Sequence, residues 1–293
     1  AFLDLDADRR WVAGFHDRPE ALTVRQLLSH SAGLPPWAPF TGERLAEQLR
    51  RGLPFGSHPL CVEARMGEAT YSDLGYRLLG ELLEAELGLS WKQLGQAATG
   101  LSAAPWRDTP RLVPAGPDAE AWPIAKGLPF PEMALHQPHD ANARAGMIGH
   151  AGFGATSAQL KSWLRRWIGA GWPERMALPT APGADGAIWG LGLQRVLPGP
   201  FAEALGALPL ASGSVTVLED ATTAAPELPP VKTSELKPSD WWFHLAFTGP
   251  ALYLRPSDGT CVALLCHRAG PDGLLDMQAL RARRLGMLGR LVG

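Results

Sequence analysis

Several residue patterns in this 293-residue chain are of a type that does chemistry, and most are disqualified by their surroundings. Ser234 and Lys237 form its one Ser-x-x-Lys, a spacing that on a buried helix lets the amine activate the hydroxyl as a nucleophile. Here Pro229 and Pro230 precede the pair and Pro238 follows it, in a polar stretch with no apolar helix to hold the two in register. His136, His139, Asp140 and His150 are metal-ligand types, but Pro138 breaks any i,i+4 presentation, so hydrogen-bonded loop structure and no metal is expected. GHAGFG (149–154) follows no strand and lacks the glycine order of a dinucleotide fingerprint, while GxxxxGK[ST] and GxSxG do not occur. Cys61, Cys261 and Cys266 cannot all pair and none lies in a CxxC, so they read as buried thiols. Two short clusters remain. Tyr71-Ser72-Asp73 stands where a helix begins, and His244-Leu245-Ala246-Phe247 lies in an apolar, strand-like run behind Trp241, Trp242 and Phe243.

The elements that must position these clusters are legible as patterns. Thr23 can cap a short helix through Leu28 that stops at SAGLPPW, and Thr41 opens a second candidate, GERLAEQLRR, ended by Gly52. The clearest helix starts near Ser72, with Leu74, Leu78, Leu79, Leu82 and Leu83 as its stripe and Gly88 as its stop; Asp73 is a candidate cap. Another spans about Ser157 to Ile168, with Leu160, Trp163, Leu164 and Trp167 on one face. Residues 99–148, rich in Pro and Gly, predict long ordered loops. After about 186 the texture becomes strand-like, with PSDG (256–259) as a hairpin turn, and Leu274–Val292 has helical spacing with arginines on its outer face. The fold class is α+β: a mainly helical lobe over 1–185, then an antiparallel sheet and closing helix over 186–293, together one unit.

Composition narrows the function. A balance of 27 basic against 29 acidic residues argues against nucleic acid as a partner, and no apolar run approaches the roughly 18 residues of a membrane span. With 46% hydrophobic residues the chain has ample material for a core, and 33 Gly with 27 Pro mark it as loop-rich.

Four segments in order carry a resemblance over nearly the whole chain: LTVRQLLSHSAGLPPW (22–37), YSDLGYRLLGELLE (71–84), HDANARAGMIGHAGFGATSAQL (139–160) and WWFHLAFTGPALYLRP (241–256). Together they resemble the serine β-lactamase and penicillin-binding-protein superfamily, specifically the class C β-lactamase-related esterases and D-aminopeptidases. The resemblance implies a β-lactamase/transpeptidase-like fold and an acyl-enzyme mechanism. Tyr71 stands at the Tyr of the family's Tyr-x-Asn and is implied as base and later acid, a role that asks neighbouring cations to lower a phenol of ordinary pKa about 10. Asp73 replaces the usual Asn. His244 takes the place of the Lys or His that opens the Lys-Thr-Gly or His-Thr-Gly strand motif, and the Phe247 backbone N–H is implied as an oxyanion donor. Ser72, Leu245, Ala246 and Trp242 are implied to line the substrate. Leu245 lacks the motif's hydroxyl and Ala246 puts a methyl where Gly admits substrate, which weighs against β-lactams. Ser29 and His30 read as scaffold, and His139-Asp140-x-Asn142 as the shaper of a loop.

In the family a Ser-x-x-Lys helix comes shortly before a stretch resembling LDLDAD (3–8), whereas this sequence opens at Ala1. The expectation is that the nucleophile helix and first strands are absent from the chain, and that an N-terminal segment, an oligomeric contact or a rearranged sheet covers the apolar surface so exposed. The implied activity is metal-independent, cofactor-free hydrolysis of a small-molecule ester, amide or peptide. The alternative is a non-catalytic relative whose cleft binds a peptide, glycan or protein.

Overall fold

The computed structural model describes residues 10–12, 22–37, 42–50, 67–99, 104–105, 149–150, 153–154, 156–220, 239–246, 249–266, 269–270 and 273–292. The chain divides into two compact units: Ala1–Pro105 with Asp140–Phe153 and Leu178–Gly192, and Trp106–His139 with Gly154–Ala177 and Leu193–Gly293.

In the first unit, strands β1 (Arg10–Val12) and β2 (Leu22–Thr23) pair antiparallel and lead into helix α1 (Val24–Leu28). Thr23 and Gln26 form a complete capping box there, satisfying two amides that a helix start leaves open. Helices α2 (Leu45–Arg50), α3 (Asp73–Leu87) and α4 (Trp91–Thr99) follow, with the two-residue strands β3 (Ala104–Pro105), β4 (Phe153–Gly154), β5 (Ala181–Pro182) and β6 (Ile188–Trp189), of which β5 and β6 pair antiparallel. The leucine stripe of α3 behaves as its spacing predicts: Leu74, Leu78 and Leu79 join Leu22, Val24, Leu27, Leu34 and Leu45 in one core, and Gly88 stops the helix in the left-handed region at φ 62°. A Cβ on Gly75 would stand 3.4 Å from the Leu27 carbonyl oxygen, in ordinary contact, which marks how near α1 lies to α3.

A buried ion pair joins α3 to α2. Arg77 Nε donates to Glu81 Oε1 at 2.9 Å, and the same carboxylate accepts the amides of Leu45 (2.9 Å) and Ala46 (3.3 Å). Arg77 also donates to the Glu43 carbonyl. Burial pushes the Arg77 guanidinium below its ordinary pKa, and Glu81 opposes that shift. The carboxylate explains why α2 begins at Leu45 and not at the turn that Thr41 and Gly42 suggest: its first amides are satisfied from α3.

In the second unit, α5 (Ser157–Gly169) starts from a Thr156–Gln159 capping box and is followed by α6 (Trp172–Met176). The sheet comprises β7 (Gln194–Arg195), β8 (Val215–Asp220), β9 (Trp242–Leu245), β10 (Ala251–Arg255) and β11 (Thr260–Cys266), in the order β7-β9-β10-β11-β8. Helix α7 (Pro200–Gly206) lies between β7 and β8 in the chain; the short pair β12 (Ala269–Gly270) and β13 (Gly273–Leu274) precedes α8 (Met277–Gly289). The neighbours β7–β9, β9–β10 and β10–β11 run antiparallel as expected, but β8 runs parallel to β11. A parallel neighbour requires a crossover, and β8 is separated from β11 by a long connection and two other strands. Tyr253, Val262 and Leu264 face a core shared with Leu205, Leu280, Met287 and Leu288 of α7 and α8. Cys261 and Cys266 are buried free thiols; Cys61 lies outside the described residues. No described helix is long and apolar enough to cross a membrane.

The expected hairpin turn between β10 and β11 is held by charge. Asp258 accepts from Arg255 Nη2 at 2.7 Å and from the Thr260 amide at 3.0 Å. The hydrogen bonds from Arg255, first of all, hold the Asp258 carboxyl down from 3.8 to about 2. A depressed carboxyl stabilises the fold above its unfolded pKa and ceases to do so as pH falls through the folded value. The stability gap between the parent protein and Asp258→Asn, followed by urea unfolding, should therefore be constant above about pH 5 and close between there and about pH 2.

Candidate active site

The first cluster is built from the end of α1. Ser29 caps that helix, and His30 then adopts φ 58°, the one positive φ outside glycine among the described residues. The left-handed step turns the chain so that the His30 and Ser31 carbonyls accept the amides of Thr70 and Gly67, each at 2.9 Å. Ala69 in turn donates to the Pro182 carbonyl at 2.7 Å. The segment that delivers Tyr71 is thus laid between α1 and β5.

His30 is 3% exposed, and its Nδ1 accepts the Ser72 amide at 3.0 Å. An accepting Nδ1 makes this a neutral imidazole with its proton on Nε2. Its ring lies 4.6 Å from that of Tyr71, 5.1 Å from Tyr76 and 4.8 Å from Trp189. The Tyr76 hydroxyl donates to the Leu28 carbonyl at 3.2 Å, and burial raises its pKa, so it stays a donor. Tyr71 differs from its neighbours: it is 40% exposed, the open ring on a buried aromatic cluster.

Ser72, not Asp73, caps α3. Its Oγ accepts the Gly75 amide at 3.3 Å and donates to the Pro35 carbonyl at 2.6 Å. Ser72 is 3% exposed, so the residue expected to touch substrate serves to anchor the one before it. Asp73 is the first helical residue, its amide bonded to the Pro36 carbonyl at 2.9 Å. With the cap supplied by Ser72, the capping reading of Asp73 is corrected; a carboxylate there faces the positive end of the α3 dipole. Gly149, from the glycine-rich GHAGFG, has φ 97°, and a Cβ on it would fall 2.0 Å from the Tyr76 carbonyl oxygen. Close approach to α3 accounts for that glycine. His136, His139, Asp140 and Asn142 lie outside the described residues, as do Ser234 and Lys237.

The second cluster is on β9. His244 pairs with Leu252 and helps to wall an apolar cavity of about 150 Å³, with Leu160 and Trp163 of α5, Leu252, Ala263 and Leu265. Ala246 lines the same cavity. Trp242 opens elsewhere, onto a hollow of about 470 Å³ bordered by Arg195, Asp240, Pro256 and Ser257, and is itself mostly buried. Leu245 is half-buried on the opposite face of the strand, against the α7–α8 core. Phe247 lies outside the described residues. Tyr71 and His244 belong to different units.

A family model described as Beta-lactamase matches residues 2–286. The chain belongs to the Beta-lactamase family. Among curated proteins none matches it. Among solved structures, this β-lactamase-family chain is similar to the Beta-Lactamase/D-Alanine Carboxypeptidase from Pseudomonas syringae, at 14% identity and TM-score 0.54, over 100% of this chain and 78% of that one. It is also similar to the D-amino acid amidase from Ochrobactrum anthropi SV3 complexed with L-phenylalanine, at 15% identity and TM-score 0.53, over 97% and 77%. It spans 59% of the length of SurE, solved with D-Leu, at 22% identity and TM-score 0.49 over 99% of this chain. The α+β, β-lactamase/transpeptidase-like fold expected from the sequence is the fold of this family.

Within the β-lactamase-family chain, two site neighbours escape the sequence reading. His30 reads as scaffold, yet it is the residue on which Tyr71 and Ser72 rest. Its position between two serines after a helix end is a weak signal, because the partner it meets is far along the chain. Arg284 reads as an outer-face arginine of the last helix. The structure corrects this: Arg283 and Arg284 are buried at 1% and 0% exposure. Spacing alone places charged residues outward, and only the carbonyls that Arg284 meets explain its turning in.

Proposed function

We propose that this chain is the bulk of a serine hydrolase that opens small esters, amides or peptides through an acyl-enzyme. The family membership supports the reaction class. The observation that carries the residue assignment is Tyr71: an exposed phenol whose ring and following amide are both held by one buried neutral histidine. Such a mount gives a proton-transfer group a single position. In this reading Tyr71 takes the proton of the nucleophilic serine and returns it to the leaving group, with Asp73 beside it at the start of α3. His244 supplies a hydrogen bond or positive charge at the rim of the acyl site, and the Phe247 N–H receives the oxyanion. Leu245 and Ala246 shape the approach and disfavour β-lactams. Ser234 and Lys237, the one Ser-x-x-Lys in the sequence, are flanked by Pro229, Pro230 and Pro238 and are not assigned as the serine and lysine of this reaction.

A binding protein without catalysis is the second reading, favoured by the Leu245 and Ala246 departures. One experiment separates the two. The full-length natural protein is treated with a fluorophosphonate probe and assayed on p-nitrophenyl acetate and butyrate. Covalent labelling with turnover is expected; neither labelling nor turnover would remove the hydrolase.

A further inference from the structure

The turn after β9 is organised from inside the protein by one cation. Arg284 of α8 has no exposed surface, and its guanidinium converges on three carbonyls of that turn. Its Nη2 donates to the Ala246 oxygen at 2.7 Å, to the Gly249 oxygen at 2.8 Å and to the Pro250 oxygen at 3.3 Å, while Nε donates to the Gly249 oxygen at 2.9 Å. Cys266 Sγ adds a contact to the Gly249 oxygen at 3.0 Å. The turn closes on itself through the Ala246 amide to the Pro250 oxygen, 2.9 Å, and the Gly249 amide to the Ala246 oxygen, 3.1 Å.

A fully buried guanidinium is costly unless its donors are satisfied, and an aliphatic side chain at this place on α8 would avoid that cost. What the arginine supplies and an aliphatic chain would not is a rigid fork of charged donors. Hydrogen bonds from a charged donor are shorter and stronger than neutral ones, and they polarise the peptide group they reach. The Ala246 carbonyl belongs to the same peptide group as the Phe247 N–H. Drawing electron density toward that oxygen makes the N–H of the same peptide group a better donor.

We propose that Arg284 is a positioning residue of the hydrolytic site, holding and polarising the peptide group that donates to the oxyanion. The inference rests on the hydrolase reading above. It adds a residue on the far side of the turn, one that never touches substrate.

The test uses the full-length natural protein with Arg284→Met, which removes the charge at similar volume, Arg284→Lys, which keeps the charge and loses the fork, and Arg281→Met as an exposed control on the same helix. For p-nitrophenyl acetate, Arg284→Met should lower kcat by about 10- to 100-fold, part of the loss seen when an oxyanion donor is removed outright, with KM changed by less than about threefold. Arg284→Lys should fall between this and the parent, and Arg281→Met should match the parent. Amide exchange at Ala246 and Gly249 should quicken by about tenfold or more in Arg284→Met, while Tyr253 and Val262 in the neighbouring strands keep their protection. A kcat within about threefold of the parent in folded Arg284→Met would overturn the inference. So would a loss that tracks a fall in folded protein, with kcat per folded molecule unchanged. If Arg284→Met does not fold, the same two readings on Arg284→Lys decide. The hydrolase reading fails on different data: a parent protein without turnover removes it, and the catalytic role of Arg284 with it.

Discussion

The Tyr71→Phe variant is expected to lose about 10²- to 10⁴-fold in ester turnover, the contribution of a positioned proton-transfer group, while keeping its folded stability. Phenylalanine preserves the ring that packs 4.6 Å from His30 and 6.1 Å from Trp189, so the aromatic cluster is left filled. The Ser72 amide bond to His30 Nδ1 is a backbone contact and survives the change. Only the hydroxyl is removed, from a residue that is 40% exposed. Steady-state kinetics beside thermal unfolding check both halves. Turnover within a few-fold of the parent would show that Tyr71 is not the base, and a matching fall in melting temperature would show that the ring was misplaced.

The second large effect is on stability. Removing one member of the Arg77–Glu81 pair should cost about 3–5 kcal/mol, because the partner is left charged and buried. The two side chains are only 2% and 8% exposed, which separates this pair from a surface ion pair worth a few tenths to about 1 kcal/mol. Glu81→Ala does more than strand Arg77: it also takes the carboxylate from the Leu45 and Ala46 amides that begin α2. Replacing both members, as Arg77→Met with Glu81→Leu, should recover a good part of the loss, and the double-mutant cycle measures the coupling. Urea unfolding of the four proteins gives the numbers. A Glu81→Ala cost below about 1 kcal/mol would mean that the pair is solvated in solution. Against a typical total of about 5–15 kcal/mol, the expected loss would leave the first unit poorly folded at physiological temperature.

What could be read from the sequence was local. The stripe of α3, its Gly88 stop, the Thr23 cap of α1 and the PSDG hairpin follow from residues within a few positions of each other, and all stand in the structure. Tyr71 is legible as a candidate because its segment falls in a recognisable order with three others. The rest depends on residues that meet across the fold. His30 is separated from Ser72 by 42 positions in the chain, and its left-handed backbone is not a preference that a histidine announces. Arg284 faces inward because three carbonyls of a distant turn converge there. The start of α2 was misjudged for the same reason: its amides are satisfied by Glu81, which no local pattern connects to them. The parallel partner of β8 was likewise invisible, since strand patterns carry no direction.

That partner orders the assembly of the second unit. β9, β10 and β11 are consecutive in the chain and joined by tight turns, so each pairing closes a short loop. β8 meets β11 in register from Val215 and Cys261, so their pairing spans a long stretch of chain, as does that of β7 with β9. Because loop-closure entropy must be met before distant contacts form, the three-strand meander is expected to form before β7 and β8 dock onto its two sides. Among the described residues β8 pairs with β11 alone, and helix α5 lies against it. The helix packed on β8 carries Leu160 and Trp163, two walls of the cavity beside His244, so the docking of this distant strand completes that cavity.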